Sequence, residues 1–386
     1  MSITPHRTKT RFLAMVALLL VTCPAPTLAQ LKTWDQKHSI ERIDLTVVYF
    51  LPQDRDPLPD WQDRVRYFCR RIEQFHEREF QGQSKLKATV RPEPLRSAKT
   101  TAQLRDGDAN FIFFKTLEEA DQALQFGRQE RQGFPILLVL SDINWRPLDD
   151  FYRVKPNPKG GWIFEGNYSN GRHFPGAEAG GARATYLADR GVGWGLVSAD
   201  GWRVPYRGTD CVVYHEGCGH TVGLPHPRQG NNSVMSLGQY AGWISESWLD
   251  EDQKVRLGWK PPEKPFDRRS DLFSTFTALA EPAEPKPNSP VSLRLTWPEN
   301  TRVKSYRVRL QTDLWGPWLE VQTPPLADQQ PPTAIALGAL DRATPVSYRV
   351  DATTTDDRTV ELWGYFQVRE KSGATPTPQS ARSSNN

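Results

Sequence analysis

The sequence predicts a mixed α/β domain followed by an all-β sandwich, on three observations. Strand and helix signals alternate through the first third of the chain, the pattern of a sheet covered by helices. Beyond residue 290 only short alternating runs separated by turn residues remain, as in an antiparallel sandwich. Proline marks the division, since sixteen of the 32 prolines lie after Lys260. The 386 residues are 38% hydrophobic and include 13 Trp, 11 Tyr and 17 Phe, which excludes a globally disordered chain. A mean hydropathy of −0.61, with no apolar run near the ~18 residues of a membrane span, excludes an integral membrane protein.

The elements follow in order. Arg7, Lys9 and Arg11 precede an apolar stretch from Phe12 to Val21, and Thr27-Leu28-Ala29 offers small residues for cleavage. Residues 1–29 are therefore expected to be a secretory signal, and the mature protein to be secreted, extracellular or periplasmic. That segment holds three basic and no acidic residues, so its removal lowers the net charge from +4 to +1, and no nucleic-acid partner is expected. Thr22 and Pro24 spoil a lipoprotein box at Cys23, so lipid attachment is not expected. Cys69, Cys211 and Cys218 remain, enough for one disulfide and one free thiol in an oxidising compartment, with the pairing open.

After a polar lead-in over 30–42, the β-branched and aromatic run Ile43 to Leu51 predicts a buried strand that Pro52 ends. Trp61, Val65, Phe68, Ile72 and Phe75 then step by four and three, one face of a long helix. Leu86 to Val90 and Asn110 to Phe114 are expected as strands, Leu117 to Phe126 as a short helix, and Ile136 to Leu140 as a strand. Residues 145–182, rich in Gly, Pro and Asn, read as a surface excursion. Ala182 to Ala188 and Val192 to Ser198 are expected as strands. Ser245 to Trp259 reads as the last helix of the first domain, stopped by Pro261, Pro262 and Pro265. The first domain thus spans 43–265. Glu281 to Pro290 is a stiff connector or an interstrand loop. Val291 to Trp297, Ser305 to Gln311, Trp318 to Gln322, Thr333 to Leu337, Val346 to Ala352 and Thr359 to Val368 are the expected sandwich strands of a domain over 266–370. Their pattern resembles a fibronectin type III or immunoglobulin-like module. The polar tail 371–386 is expected to be disordered.

One window carries chemistry: Val212-Val213-Tyr214-His215-Glu216-Gly217-Cys218-Gly219-His220-Thr221-Val222-Gly223-Leu224-Pro225-His226. It concentrates three of the chain's seven histidines. Three neutral imidazoles form a ligand set for one catalytic Zn²⁺ with a fourth position left for water, and a glutamate beside the first can act as general base. Gly223 is placed to end the helix in a left-handed turn that returns His226 to the site.

This run resembles the zinc helix of the metzincin metallopeptidases, H-E-x-x-H-x-x-G-x-x-H followed by a Met-turn. His220, Gly223 and His226 match its second half, and Met235 in Ser233-Val234-Met235-Ser236 matches the Met-turn. The resemblance implies a zincin-type catalytic domain, α+β or α/β, in which a mixed sheet carries a long backing helix and a zinc helix. It further implies zinc on His215, His220 and His226 with Glu216 as base, in an endopeptidase acting on protein or peptide. The departure is one residue, H-E-x-x-x-H for H-E-x-x-H, as in dipeptidyl peptidase III. In a regular helix residues five apart lie about 140° apart. A single π-type turn restores a common face, and Gly217 and Gly219 supply permissive backbone there. Were the helix regular, Glu216 and His220 would pair as ligands of a structural or disabled metal site; chance histidines on a buried helix are the remaining reading.

The tyrosine that some metzincin branches carry two residues after the Met-turn methionine is Leu237 here, which leaves Tyr240 as the candidate oxyanion-stabilising phenol. Cys218, between the histidines, is a lesser metal-ligand candidate, and His173 reads as a surface residue. In the family the peptide adds as a strand to a sheet edge, for which 182–188 and 192–198 are the candidates. The rival function is a catalytically disabled binding protein that contacts glycans or cell-surface proteins through 266–370, with exposed aromatics such as Trp315 and Trp318. A monomer is expected.

Overall fold

The computed structural model describes Met1 and residues 30–128, 131–144, 153–156, 162–165 and 181–369. The expected signal peptide with Cys23, the tail 371–386, His173 and most of the 145–182 excursion lie outside the described residues. β1 (Arg42–Leu51) is the buried strand its β-branched and aromatic residues predict. It pairs in parallel with β2 (Lys85–Val90), at its end with β3 (Leu95–Arg96), and on its other side with β4 (Phe134–Ser141). β5 (Arg153–Pro156) and β6 (Trp162–Glu165) form a separate antiparallel pair. β7 (Ala182–Leu187) and β8 (Val192–Val197) complete a sheet of order β2-β1-β4-β8-β7. β8 continues the parallel run beside β4, whereas the edge strand β7 is antiparallel.

Alternation along the strands assigns the two faces. Leu45, Val47, Tyr49, Ile136, Leu138 and Leu140 pack with Val65, Phe68, Ile72 and Phe75 of α1 (Trp61–Phe80) and with Val213 and Tyr214. Val48, Phe50, Leu137, Val139, Trp194 and Leu196 face the opposite way. That second face is covered, after the one-turn α2 (Thr101–Leu104), by α3 (Ala109–Leu124). Here Asn110 to Phe114 is helix, not the expected strand. The Asp108 carboxylate accepts from the Phe111 N–H at 2.8 Å and caps the start. Ile112, Phe113, Thr116, Leu117, Ala120 and Leu124 make one buried helical stripe, so the run that resembled a strand is the first turn of the helix expected only from Leu117.

α4 (Thr209–Tyr214) opens the histidine segment, and α5 (Gly238–Ala241) follows it. The helix expected over Ser245 to Trp259 shrinks to α6 (Glu251–Arg256). The residues ahead of α6 give their polar groups to α1 instead: Arg78 of α1 donates to the carbonyls of Ser245 and Ser247 at 2.7 and 2.6 Å, and the Leu249 N–H donates to Glu79 at 3.1 Å. A helix would have needed those groups itself. α7 (Leu272–Thr275) leads into β9 (Thr277–Glu281), a strand the sequence reading missed.

Glu281 to Pro290 is an interstrand loop, since it joins β9 to its antiparallel partner β10 (Pro290–Thr296). β11 (Val303–Gln311), β12 (Leu319–Glu320), β13 (Ala334–Ala339), β14 (Thr344–Thr354) and β15 (Thr359–Val368) follow. They form a three-stranded sheet, β13-β10-β9, and a four-stranded one, β12-β11-β14-β15, all antiparallel. Leu293 and Ile335 from the first sheet share a core with Val308, Val350 and Leu362 from the second.

The four-stranded sheet leans on α1. Trp363 stacks on Tyr67 with ring centroids 5.1 Å apart. Trp318 donates from Nε1 to Asp60 at 2.7 Å, and the same carboxylate accepts from the buried Arg64 at 2.8 Å. Trp318 is therefore half-buried, not one of the exposed aromatics that the rival reading expected for glycans or cell-surface proteins. Trp315 stays 37% exposed, with the Arg203 guanidinium 5.3 Å from its ring centre. Cys69, Cys211 and Cys218 are free, buried thiols; burial pushes Cys69 up to about 12.

Candidate metal centre

α4 runs regularly to Tyr214, and the next five residues, His215–Gly219, are a π-helical turn closed by the His220 N–H on the His215 carbonyl. His220–Val222 tightens to a 3₁₀ turn, and Gly223 ends the segment at φ +86°. The extra residue between the first two histidines is absorbed as a π turn, so the regular helix that would pair Glu216 with His220 is not formed. Two close approaches explain the glycines. A Cβ on Gly219 would lie 2.2 Å from the Met235 sulfur, so the methionine packs directly beneath the turn. On β8, Gly195 admits the Glu216 carbonyl, which a Cβ there would meet at 2.5 Å.

The three imidazoles converge. His215 Nε2 lies 2.8 Å from His220 Nε2 and 3.0 Å from His226 Nε2, and the latter two are 3.2 Å apart. Nitrogens about 2.0–2.1 Å from a tetrahedral zinc are separated by about 3.3 Å, so the donor set fits one small cation with little adjustment. No other group of three His, Cys, Asp or Glu side chains among the described residues is arranged to hold a metal. Cys218 is not part of the cluster.

The other ring nitrogens set the tautomers. His215 Nδ1 donates to the Val234 carbonyl at 2.7 Å, and His220 Nδ1 donates to the Leu224 carbonyl at 2.7 Å. Both Nε2 lone pairs are thereby turned toward the common point. The Val234 carbonyl belongs to the turn that carries Met235, itself fully buried, so this turn both floors the site and aims the first ring. Burial, with His220 alongside, drives His215 down to about 3, and burial takes His220 to about 4. Both are neutral at pH 7, the form that ligates metal.

Glu216 is half-buried beside the cluster; burial raises its carboxyl to about 7, against the opposing charge of Arg183 on β7. Tyr240 is 58% exposed on α5, and burial of its ring raises the phenol above its usual range. Sequence reasoning missed the Val234 carbonyl, Arg183, and Gln253 of α6, whose Nε2 donates to the Pro225 carbonyl at 2.8 Å. None of the three carries a local signal, because each acts across the fold.

Three converging imidazoles, two from the π-to-3₁₀ segment and one returned by the Gly223 corner, define a candidate cation site on an α/β sheet. No family model matches the chain, and no curated protein does either. Among solved structures, two of wild-type OgpA from Akkermansia muciniphila are similar, at 12% and 13% identity. The matches cover 84% and 91% of this chain and 95% and 97% of those chains, with TM-scores of 0.30 and 0.31. A catalytically inactive OgpA in complex with an O-glycopeptide, glycodrosocin, matches at 13% identity over 84% of this chain and 92% of that one, with a TM-score of 0.28. Likeness of this degree says nothing about chemistry, which has to be read from the site.

Proposed function

We propose that the protein is a secreted zinc metallopeptidase of the zincin arrangement, in which residues 43–265 carry catalysis and 266–370 form an accessory β-sandwich. The observation that carries this reading is the triangle of Nε2 atoms 2.8–3.2 Å on a side, two of them with their tautomers set by backbone carbonyls. His215, His220 and His226 are the ligands in this reading, and Met235 supports the turn beneath them.

A zinc ion held by these three histidines would supply a Lewis acid for a scissile carbonyl and an attacking water. Glu216 would take the proton from the attacking water and return it to the leaving amine. A carboxyl lifted to about 7 suits both transfers near neutral pH. Its neighbours confine it, with Gly195 against its own carbonyl and Arg183 the opposing charge named above. β7 ends the sheet, and its outer edge has no partner among the described strands, so an extended peptide can add there by main-chain hydrogen bonds. β8, the other edge candidate, is enclosed between β4 and β7.

The test is metal analysis together with cleavage of an unstructured protein. Expected are about one zinc per chain, cleavage abolished by a chelator, and a Glu216→Ala variant that keeps its metal but no longer cleaves. Loss of the metal in that variant would make Glu216 a ligand. Zinc without hydrolysis of any peptide in a broad library would sink the peptidase reading in favour of a binding protein.

A further inference from the structure

The three histidines are not held alike. His215 and His220 each spend Nδ1 on a backbone carbonyl, while His226 is exposed and its Nδ1 has no hydrogen-bond partner among the described residues. Its ring direction therefore has to come from the backbone that carries it. That backbone is gripped at two points. The Gly223 corner is wedged between Trp34 and Tyr186, which a Cβ at 223 would meet at 3.1 and 3.2 Å. Two residues later, the carbonyl of Pro225, immediately before His226, accepts from Gln253 Nε2 at 2.8 Å. Gln253 is 3% exposed, and its Oε1 finds no partner among the described residues. A buried amide that leaves its oxygen unpaired loses stability by it, so the bond from Nε2 to the Pro225 carbonyl is what fixes the way this amide points.

α6, which carries Gln253, is itself braced from the start of the chain. The Lys32 N–H donates to the Leu257 carbonyl at 2.8 Å, and Gln36 Nε2 donates to the Arg256 carbonyl at 2.8 Å. In the same strap, residues 31–40, the Trp34 N–H donates to the Val222 carbonyl at 3.0 Å, capping the end of the histidine segment. Tyr186 of β7 reaches Asp35 at 2.9 Å and Thr33 at 3.2 Å from the other side. Strap, α6 and β7 thus enclose the corner from which His226 returns.

We propose that Gln253, braced by the 31–40 strap, is the positioning residue of the third ligand, His226; this rests on the metal-site reading above. The test uses the full chain and three readouts: zinc affinity by chelator competition, the absorption spectrum of the cobalt-substituted protein, and the unfolding midpoint of the metal-free protein. Gln253→Ala is expected to weaken zinc binding 10–100-fold, as loss of a group that orients a ligand does, and to change the cobalt spectrum. In a His226→Ala background the same substitution is expected to change zinc affinity no further. Unchanged affinity and spectrum in Gln253→Ala, or an equal further loss without His226, would overturn the inference and leave the site standing. A wild-type chain that binds no zinc would remove the site itself. Should Gln253→Ala not fold, Gln253→Met keeps the shape and removes the donor, and is read by the same outcomes.

Discussion

α1 and the histidine segment lie on the same face of the same sheet and share a core, yet they are built in opposite ways. α1 is twenty residues of uninterrupted helix, pinned by arginines that reach out of it: Arg71 pairs with Asp210 at 3.0 Å, and Arg78 serves two carbonyls of the Ser245–Ser247 stretch. The segment Thr209–Val222 passes from α to π to 3₁₀ within fourteen residues and contains two glycines. In α1, buried apolar surface sets where each residue points. In the histidine segment, helix geometry is distorted until three rings meet, and packing accommodates the distortion through Gly195, Gly219 and Met235. A regular helix can bury almost any stripe; bringing ligands five residues apart to one point requires a local defect.

The largest test of this contrast is deletion of one residue from each. Removing Gln74 from α1 rotates Phe75, His76 and Phe80 by about 100° out of the core. At about 3–5 kcal/mol for each large side chain withdrawn, the loss of about 9–15 kcal/mol is comparable with the whole ~5–15 kcal/mol stability of an ordinary domain, and no cooperative unfolding transition is expected by calorimetry. Removing Gly217 deletes the residue the π turn accommodates and leaves His215 and His220 four apart on a regular turn. A folded chain that still binds zinc is expected, and a folded chain with no zinc affinity would show that the π turn is needed rather than tolerated.

A smaller lesion acts on the floor of the site. Gly219→Ala places a methyl 2.2 Å from the Met235 sulfur, and overpacking of this kind costs about 1–3 kcal/mol. The unfolding midpoint and the zinc affinity are both expected to fall. Met235→Ala in the same chain makes room, so the double variant should lose less than the two single losses added together. Strict additivity would separate the methionine from the turn.

What was legible in the sequence follows the same division. The 4-3-4-3 stripe of α1 declares itself by its period, and β1 and β4 by β-branched, aromatic and apolar runs that are buried on both faces of the sheet. Asn110 to Phe114 misled because consecutive apolar residues carry no period; only the Asp108 cap, three residues from the Phe111 N–H it holds, separates helix from strand there. The histidine spacing and the flanking glycines already implied a π turn. The groups that complete the site did not show, because the Val234 carbonyl and Gln253 reach it from 19 and 28 residues away in sequence. Trp318 looked like a surface aromatic because its partner, Asp60, is 258 residues distant.

α1 has a buried imidazole of its own, and its share of stability is read from the pH dependence of a variant that lacks it. His76 is 2% exposed, its Nε2 lies 2.8 Å from Ser84 Oγ and its Nδ1 3.1 Å from the Tyr214 hydroxyl, and burial lowers it to about 3. Ser84 donates onward to the Ile40 carbonyl, so His76 gives its proton at Nε2 and accepts from Tyr214. In the unfolded chain the same group titrates near ~6.5. Below that pH the unfolded state binds the extra proton, so this contribution is complete above about 6.5 and is lost as pH falls toward 3. Between pH 7 and pH 5 the loss is about 2 kcal/mol. Denaturant titrations should show a pH slope smaller by that amount in His76→Gln, the remaining slope in this window belonging to His215 and His220, which burial lowers in the same sense; an unchanged slope would mean that His76 is charged in the fold.

The gentlest test is applied to the outer side of α1. Trp318→Phe keeps an aromatic ring against Trp363, at 5.0 Å between centroids in the native pair, but removes the Nε1 donor to Asp60. A hydrogen bond to a charged acceptor contributes about 1.5–3 kcal/mol, and Asp60 keeps its Arg64 partner, which holds the expected loss to the lower end. Because this contact stabilises the helix by packing and lies apart from the turn that aims the rings, zinc content and cleavage rate should stay at wild-type values while the unfolding midpoint drops. A variant that lost zinc with the midpoint unmoved would show that the sandwich acts on the histidine segment through α1.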